Sequence, residues 1–119
     1  MSVNKVILVG RLGKDPVLRG ADPEKPFATF TIATDYGYGE KRETEWTNCI
    51  VFGKGATYMC DKGQKGSTVL VEGRLRTRTY EDKEGISRKS TEVVVDNSSV
   101  IDGRKVAAVV EEDDEPVRF

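Results

Sequence analysis

Val69-Leu70-Val71-Glu72-Gly73-Arg74-Leu75-Arg76-Thr77-Arg78-Thr79-Tyr80 is the stretch on which the reading of this chain turns. At a period of two it is a β-strand with unlike faces. Positions 69, 71, 73, 75, 77 and 79 carry Val, Val, Gly, Leu, Thr and Thr, which predicts a side packed on a core, with small residues where the strand bends. The opposite side carries Arg74, Arg76, Arg78 and Tyr80 in succession. Same-face neighbours on a strand stand roughly 6.5–7 Å apart, close to the phosphate spacing of an extended single strand. Like charges so placed repel one another, and a polyanion alongside would relieve them. A row of guanidiniums ending in an aromatic ring suits a chain of phosphates and bases. The alternative for the same residues is a solvated face, with arginine stems lying over apolar neighbours.

Working outward, other segments sort in the same way. Val3 to Leu12 is dense in β-branched residues, which predicts a strand covered on both faces and ended by Asp15-Pro16. Residues 19–26 read as a loop. Phe27 to Thr34 alternates, with Ala28, Phe30 and Ile32 on the buried side. Asp35 to Arg42 is a glycine-rich hairpin loop holding Tyr36 and Tyr38. Thr44 to Phe52 puts Trp46, Asn48, Ile50 and Phe52 on one side, and Thr47, Cys49 and Val51 on the other. Ala56, Met59 and Cys60 fall at helical spacing within Lys54–Lys65, so a helix of about two turns is expected before Gly66. A polar turn at 81–85 precedes a last strand centred on Val93-Val94-Val95, and Val100-Ile101 closes the folded part. Five short strands with one helix between the third and fourth predict an all-β OB-fold, a small Greek-key barrel that binds oligonucleotides across one face.

Composition bounds the function. The 119 residues suffice for one domain, and a net charge of −1 averages over two unlike parts. Without residues 111–119 the body holds 18 bases against 15 acids, whereas 111–115 is Glu-Glu-Asp-Asp-Glu. A basic body with an acidic appendage points to a polyanion partner. No apolar run is long enough for a membrane span and the first residues form no export signal, so a cytoplasmic protein is expected. Cys49 and Cys60 form neither a disulfide framework in that compartment nor, without any histidine, a zinc site, and both are read as small buried hydrophobes. No full P-loop, no histidine, no Gly-x-Ser-x-Gly elbow and no carboxylate cluster near the binding face beyond the turn at 81–84 is found, which argues against an enzyme and calls for no cofactor.

Several blocks together carry a resemblance. Asn4 to Gly13 with Asp15-Pro16 and Arg19, Phe30-Thr31-Ile32-Ala33-Thr34, Val51-Phe52-Gly53-Lys54, Lys65-Gly66-Ser67, Val71 to Arg78 and Thr91 to Val95 span residues 3–101 in order. In these the chain resembles the bacterial single-stranded DNA-binding protein family. The resemblance implies an OB-fold over residues 1–103, assembled as a homotetramer, coating single-stranded DNA in replication, recombination and repair, in the cytoplasm at the nucleoid. It also implies stacking of bases on Trp46, Phe52 and Tyr80, with Tyr38 as a further ring in the loop. Phosphates are then expected on Arg74, Arg76 and Arg78, helped by Lys5, Arg11 and Lys54. The acidic tail, residues 104–119, is expected to dock replication and repair proteins through Asp113, Asp114, Pro116 and Phe119. The tail departs from the family pattern: it follows the body without a long linker, and Val117-Arg118 separates proline from the terminal phenylalanine. The alternative class is a primosome-type OB-fold adaptor, a dimer that mainly bridges proteins.

Overall fold

The computed structural model describes residues 1–20 and 24–101. The tail assigned to residues 104–119, with Asp113, Asp114, Pro116 and Phe119, lies outside the described residues. The elements in chain order are β1 (Val6–Leu12), β2 (Val17–Arg19), β3 (Phe27–Tyr36), β4 (Glu43–Phe52), α1 (Lys54–Lys62), β5 (Thr68–Glu81) and β6 (Ser87–Val100), with one 3-10 turn at Gly39–Lys41. β1 pairs antiparallel with β5, β5 with β6, and β3 with β4, while β4 and β6 run parallel. Arg11 and Leu12 of β1 then pair with Ala33 and Ile32 of β3, and this contact closes the five long strands into the expected OB-type barrel.

Alternation builds the interior. Ala28, Phe30 and Ile32 of β3, Cys49 and Val51 of β4, Val69 and Val71 of β5, and Val93 and Val95 of β6 all point inward and are buried. Each large aliphatic side chain so buried is worth about 1.5–3 kcal/mol. The helix plugs one end of the barrel with Ala56 and Met59 and is tied to β6 by Val100 N, which donates to Tyr58 Oη at 2.8 Å. Two glycines make the curvature achievable. A Cβ at Gly10 would come 2.3 Å from the Ala33 carbonyl oxygen, and one at Gly73 would come 2.1 Å from that of Val94. Gly73 sits at a β-bulge: Glu72 faces Asn97 and Gly73 faces Val95, leaving Asp96 as the extra residue on β6. Such a bulge bends the strand and sharpens its twist.

Four expectations are corrected. Ile7 and Val9 are 59% and 55% exposed, so β1 is covered on one face only. Leu75, Thr77 and Thr79 are exposed because β5 and β6, each 14 residues long, run past the barrel as a two-stranded ribbon. Arg19 lies in β2, a three-residue strand along Phe27–Thr29, rather than in a loop. The helix ends at Lys62, where the Gly63 N–H caps the Met59 carbonyl, and Cys60 is only part-buried. Burial pushes the Cys49 thiol up to about 12, with the Glu92 charge adding to the shift, whereas the Cys60 shift has burial as its cause alone. Among the described residues no helix is long and apolar enough to cross a membrane.

Gly73→Ala must push backbone apart at the bulge, since the contact is to a carbonyl and not to a flexible side chain. Urea unfolding is expected to show a loss of about 1–3 kcal/mol, typical of overpacking. A midpoint unchanged from the parent would contradict the closure argument.

Candidate nucleic-acid interface

Cross-strand partners share a sheet face, so the register fixes which side chains meet. Arg74 faces Val94 on β6, Val94 faces Ile50 on β4, and Ile50 faces Thr29 on β3. Trp46 and Phe52 lie an even number of residues from Ile50, and Arg76, Arg78 and Tyr80 an even number from Arg74. All therefore share the outer face, and the parity read from the sequence holds on both strands. Trp46, Phe52 and Tyr80 are about half exposed, and Tyr38, at the tip of the β3–β4 hairpin, is 87% exposed.

Each ring has its own support. Trp46 stands opposite Ala33, which also faces Arg11, so Arg11 and the indole flank one small residue. A Cβ on Gly13 would come 2.6 Å from Trp46 Cζ3, so only a glycine there lets the indole rest against β1. Phe52 pairs with Phe27, their centroids 5.9 Å apart at an interplanar angle of 42°. Tyr80 stands opposite Arg88, whose Nε donates to Asp82 Oδ2 at 2.8 Å. Asp82 Oδ1 accepts from the N–H groups of Glu84 and Ile86, both at 2.9 Å, which ties the ribbon's turn. The β3–β4 hairpin is braced similarly: Tyr36 Oη donates to Glu43 at 2.6 Å, and Asp35 accepts from Thr44 Oγ1 at 2.8 Å and from Arg42 at 3.2 Å. The Thr44 bond, with the charge of Arg42, holds the Asp35 carboxyl below its ordinary value, and the bond to Glu43 raises the Tyr36 phenol.

The cations fall into two groups. Arg76 donates through Nε and Nη2 to Oε2 of Glu92, the Nε bond being 3.1 Å, and Arg78 Nε lies 3.3 Å from the same oxygen. Arg74 Nη1 lies 3.7 Å from Asp96 Oδ1. Lys5 is further round the barrel, 3.9 Å from Glu72 on β5, which separates it from the Trp46 neighbourhood. Lys54, at the start of α1, lines a groove of about 360 Å³ with Phe52, Tyr58 and Asp96. A cleft of about 230 Å³ on the arginine side is lined by Lys14, Arg19, Asn48, Arg78 and Glu92 among others. Sequence analysis gave Lys14, Glu92 and Asp96 no part in this face. Arg19 carried only the family likeness; its Nε donates to Thr29 Oγ1 at 3.0 Å.

The fold and its outer face now stand beside known proteins. Residues 3–101 match the family described as the Single-strand binding protein family. The chain belongs to that family. One relative, named "Single-stranded DNA-binding protein", from Lactiplantibacillus plantarum, is 39% identical over 105 residues, covering 86% of this chain and 52% of its own. Another of the same name, from Rhizobium meliloti, is 42% identical over 114 residues, covering 87% of this chain and 66% of its own. The chain thus spans between about half and two thirds of the length of these family members.

Asp82 offers a pH test of the ribbon. Its pKa is lowered from the ordinary 3.8, by the Arg88 bond first and then by the bonds from Ile86 and Glu84 N–H. A depressed carboxylate contributes stability above its unfolded value, and that contribution is lost as pH falls through the folded one. The amide resonances of Glu84 and Ile86 are therefore expected to move together as the pH falls, with a shared midpoint below 3.8. Movement centred well above 3.8 would contradict the bonding described.

Proposed function

We propose that this chain binds single-stranded DNA without reading its sequence and protects it. The observation that carries the reading is the register that gathers Trp46, Phe52, Arg74, Arg76, Arg78 and Tyr80 on one outer face. Bases stack on Trp46, Phe52 and Tyr80, with Tyr38 closing from the hairpin, each stack being worth about 1–3 kcal/mol and tolerant of sequence. Phosphates engage Arg74, Arg76 and Arg78, with Arg11 beside Trp46, Lys54 beside Phe52 and Lys5 further along the strand's path. Displaced counterions make such binding salt-sensitive. The names borne by the two relatives support the same ligand. A binding rather than a catalytic role accords with a sequence that has no histidine.

The setting we assign is replication, recombination and repair in the cytoplasm, at the nucleoid. Residues 1–103 act as the binding domain, and residues 104–119 as an acidic tail that docks replication and repair proteins through Asp113, Asp114, Pro116 and Phe119. Self-association, as a homotetramer, is supported by β1. Among the described residues, Val6–Gly10 of that strand pairs only with β5, and Ile7 and Val9 stand exposed beside the open edge. Open strand edges with apolar neighbours invite another chain. Sedimentation equilibrium is expected to give a tetramer; a stable dimer would favour the adaptor class.

The deciding experiment follows Trp46 fluorescence during titration with oligo-dT, with duplex DNA and a salt series alongside. Strong quenching by oligo-dT that weakens with salt, and little by duplex, is expected. Absence of quenching with folded protein would overturn the reading. Trp46→Ala is expected to weaken binding to every oligonucleotide alike by roughly 1–3 kcal/mol, the cost of one stack. A loss confined to one base composition would overturn the stacking role.

A further inference from the structure

Three arginines in a row look, in sequence, like three positive charges waiting for phosphate. In the fold each one already has an anion. Glu92, one of two buried polar or charged residues among those described, is 6% exposed and stands opposite Arg76. Its Oε2 accepts from Arg76 Nε at 3.1 Å and lies 3.3 Å from Arg78 Nε. The bulge that offsets β6 from β5 brings Asp96 to 3.7 Å from Arg74. Three guanidiniums therefore share two carboxylates, and the cluster carries one net positive charge.

We propose that Glu92 and Asp96 are built-in counter-anions of this face, which set the row's effective charge toward DNA to about one rather than three. The inference rests on the proposed single-strand binding. Glu92 cannot simply yield its arginines to an incoming phosphate, because a buried carboxylate stripped of its partners is strongly unfavourable. A guanidinium carries donors on three nitrogens, so it can hold a carboxylate and meet a phosphate together. Arg78 touches Glu92 through Nε and also lines the cleft beside Lys14 and Arg19. A phosphate there meets cations already aimed by Glu92 and partly neutralised by it. Asp96 does the same for Arg74 at a more exposed position, where the attraction is weaker.

The test measures oligo-dT affinity by Trp46 quenching across a salt series for the parent chain, Glu92→Gln, Asp96→Asn and the double variant. Each neutralised anion is expected to steepen the slope of log affinity against log salt by up to roughly 0.7, the single-strand value per phosphate. Binding at low salt is expected to tighten, and the double variant to steepen the slope most. Glu92→Asp keeps the charge and is expected to keep the parent slope. Parent-like or shallower slopes in the folded variants would overturn the proposal and leave Glu92 a stabilising role, seen as a lowered melting temperature alone. Asp96 is exposed, so Asp96→Asn decides the matter should Glu92→Gln fail to fold. A parent chain without salt-sensitive binding would defeat the single-strand reading itself; a parent that binds, with variants of equal slope, defeats only this inference.

Discussion

Close approach of main chain to main chain, at Gly10 against Ala33 and at Gly73 against Val94, is the constraint on which this molecule depends. Neither position has room for a side chain, and both lie where β1 and β5 must curl for β1 to reach β3. Closure gives every barrel strand an inside and an outside, and the inward positions, among them Phe30, Ile32, Val51, Val69, Val71 and Val93, fill the inside. The outer face can then be spent on rings and guanidiniums, because the interior does not need them for stability. The arginine row belongs as much to the β5–β6 pairing as to β5. Its geometry comes from what β6 places opposite.

A buried carboxylate beneath that row is an unusual choice for stability alone. Ion pairs taken out of water lose solvation that their attraction repays only when geometry and further hydrogen bonds are good. Glu92 meets that condition by accepting hydrogen bonds from two nitrogens of Arg76 and by pairing in addition with the Arg78 charge at 3.3 Å. The exposed pairs nearby, Arg74 with Asp96 and Arg88 with Asp82, are of the kind that adds little to stability. Their effect is on where side chains stand. In this respect the face is preorganised around Glu92 and the Asp82 turn, while the Tyr38 hairpin tip is presented openly to solvent.

Much of this was legible in the sequence, since period-two alternation survives on β3, β4 and the barrel half of β5, and β-strand faces follow from it directly. What failed did so for identifiable reasons. Val17–Arg19 follows a proline and is exposed throughout, so β2 offers no alternation to find. Ile7 and Val9 read as core because an apolar residue left exposed has the same letter as one covered by its own chain. Leu75, Thr77 and Thr79 continue the buried parity of β5 past the barrel's end, and periodicity does not say where a barrel stops. The partners of the arginines were out of reach for a deeper reason. Which acid stands beside Arg74 depends on one extra residue in β6, and a one-residue offset moves a side chain to the other face. Glu92 itself sits beside three valines, where it reads as the solvent side of a core strand.

β2 has a role out of proportion to its three residues. It lies along the outer margin of β3, pairing Val17, Leu18 and Arg19 with Thr29, Ala28 and Phe27. Without it, that length of β3 would offer bare amides and carbonyls to any extended chain in the cell, a standing invitation to fibrous association. Arg19 at its end adds a charge that discourages further strands. Among the described residues, β2 thus covers the margin of β3 along Phe27–Thr29, whereas β1 along Val6–Gly10 has β5 on one side and no strand on the other, so the two margins of the barrel differ in what they offer to an extended chain.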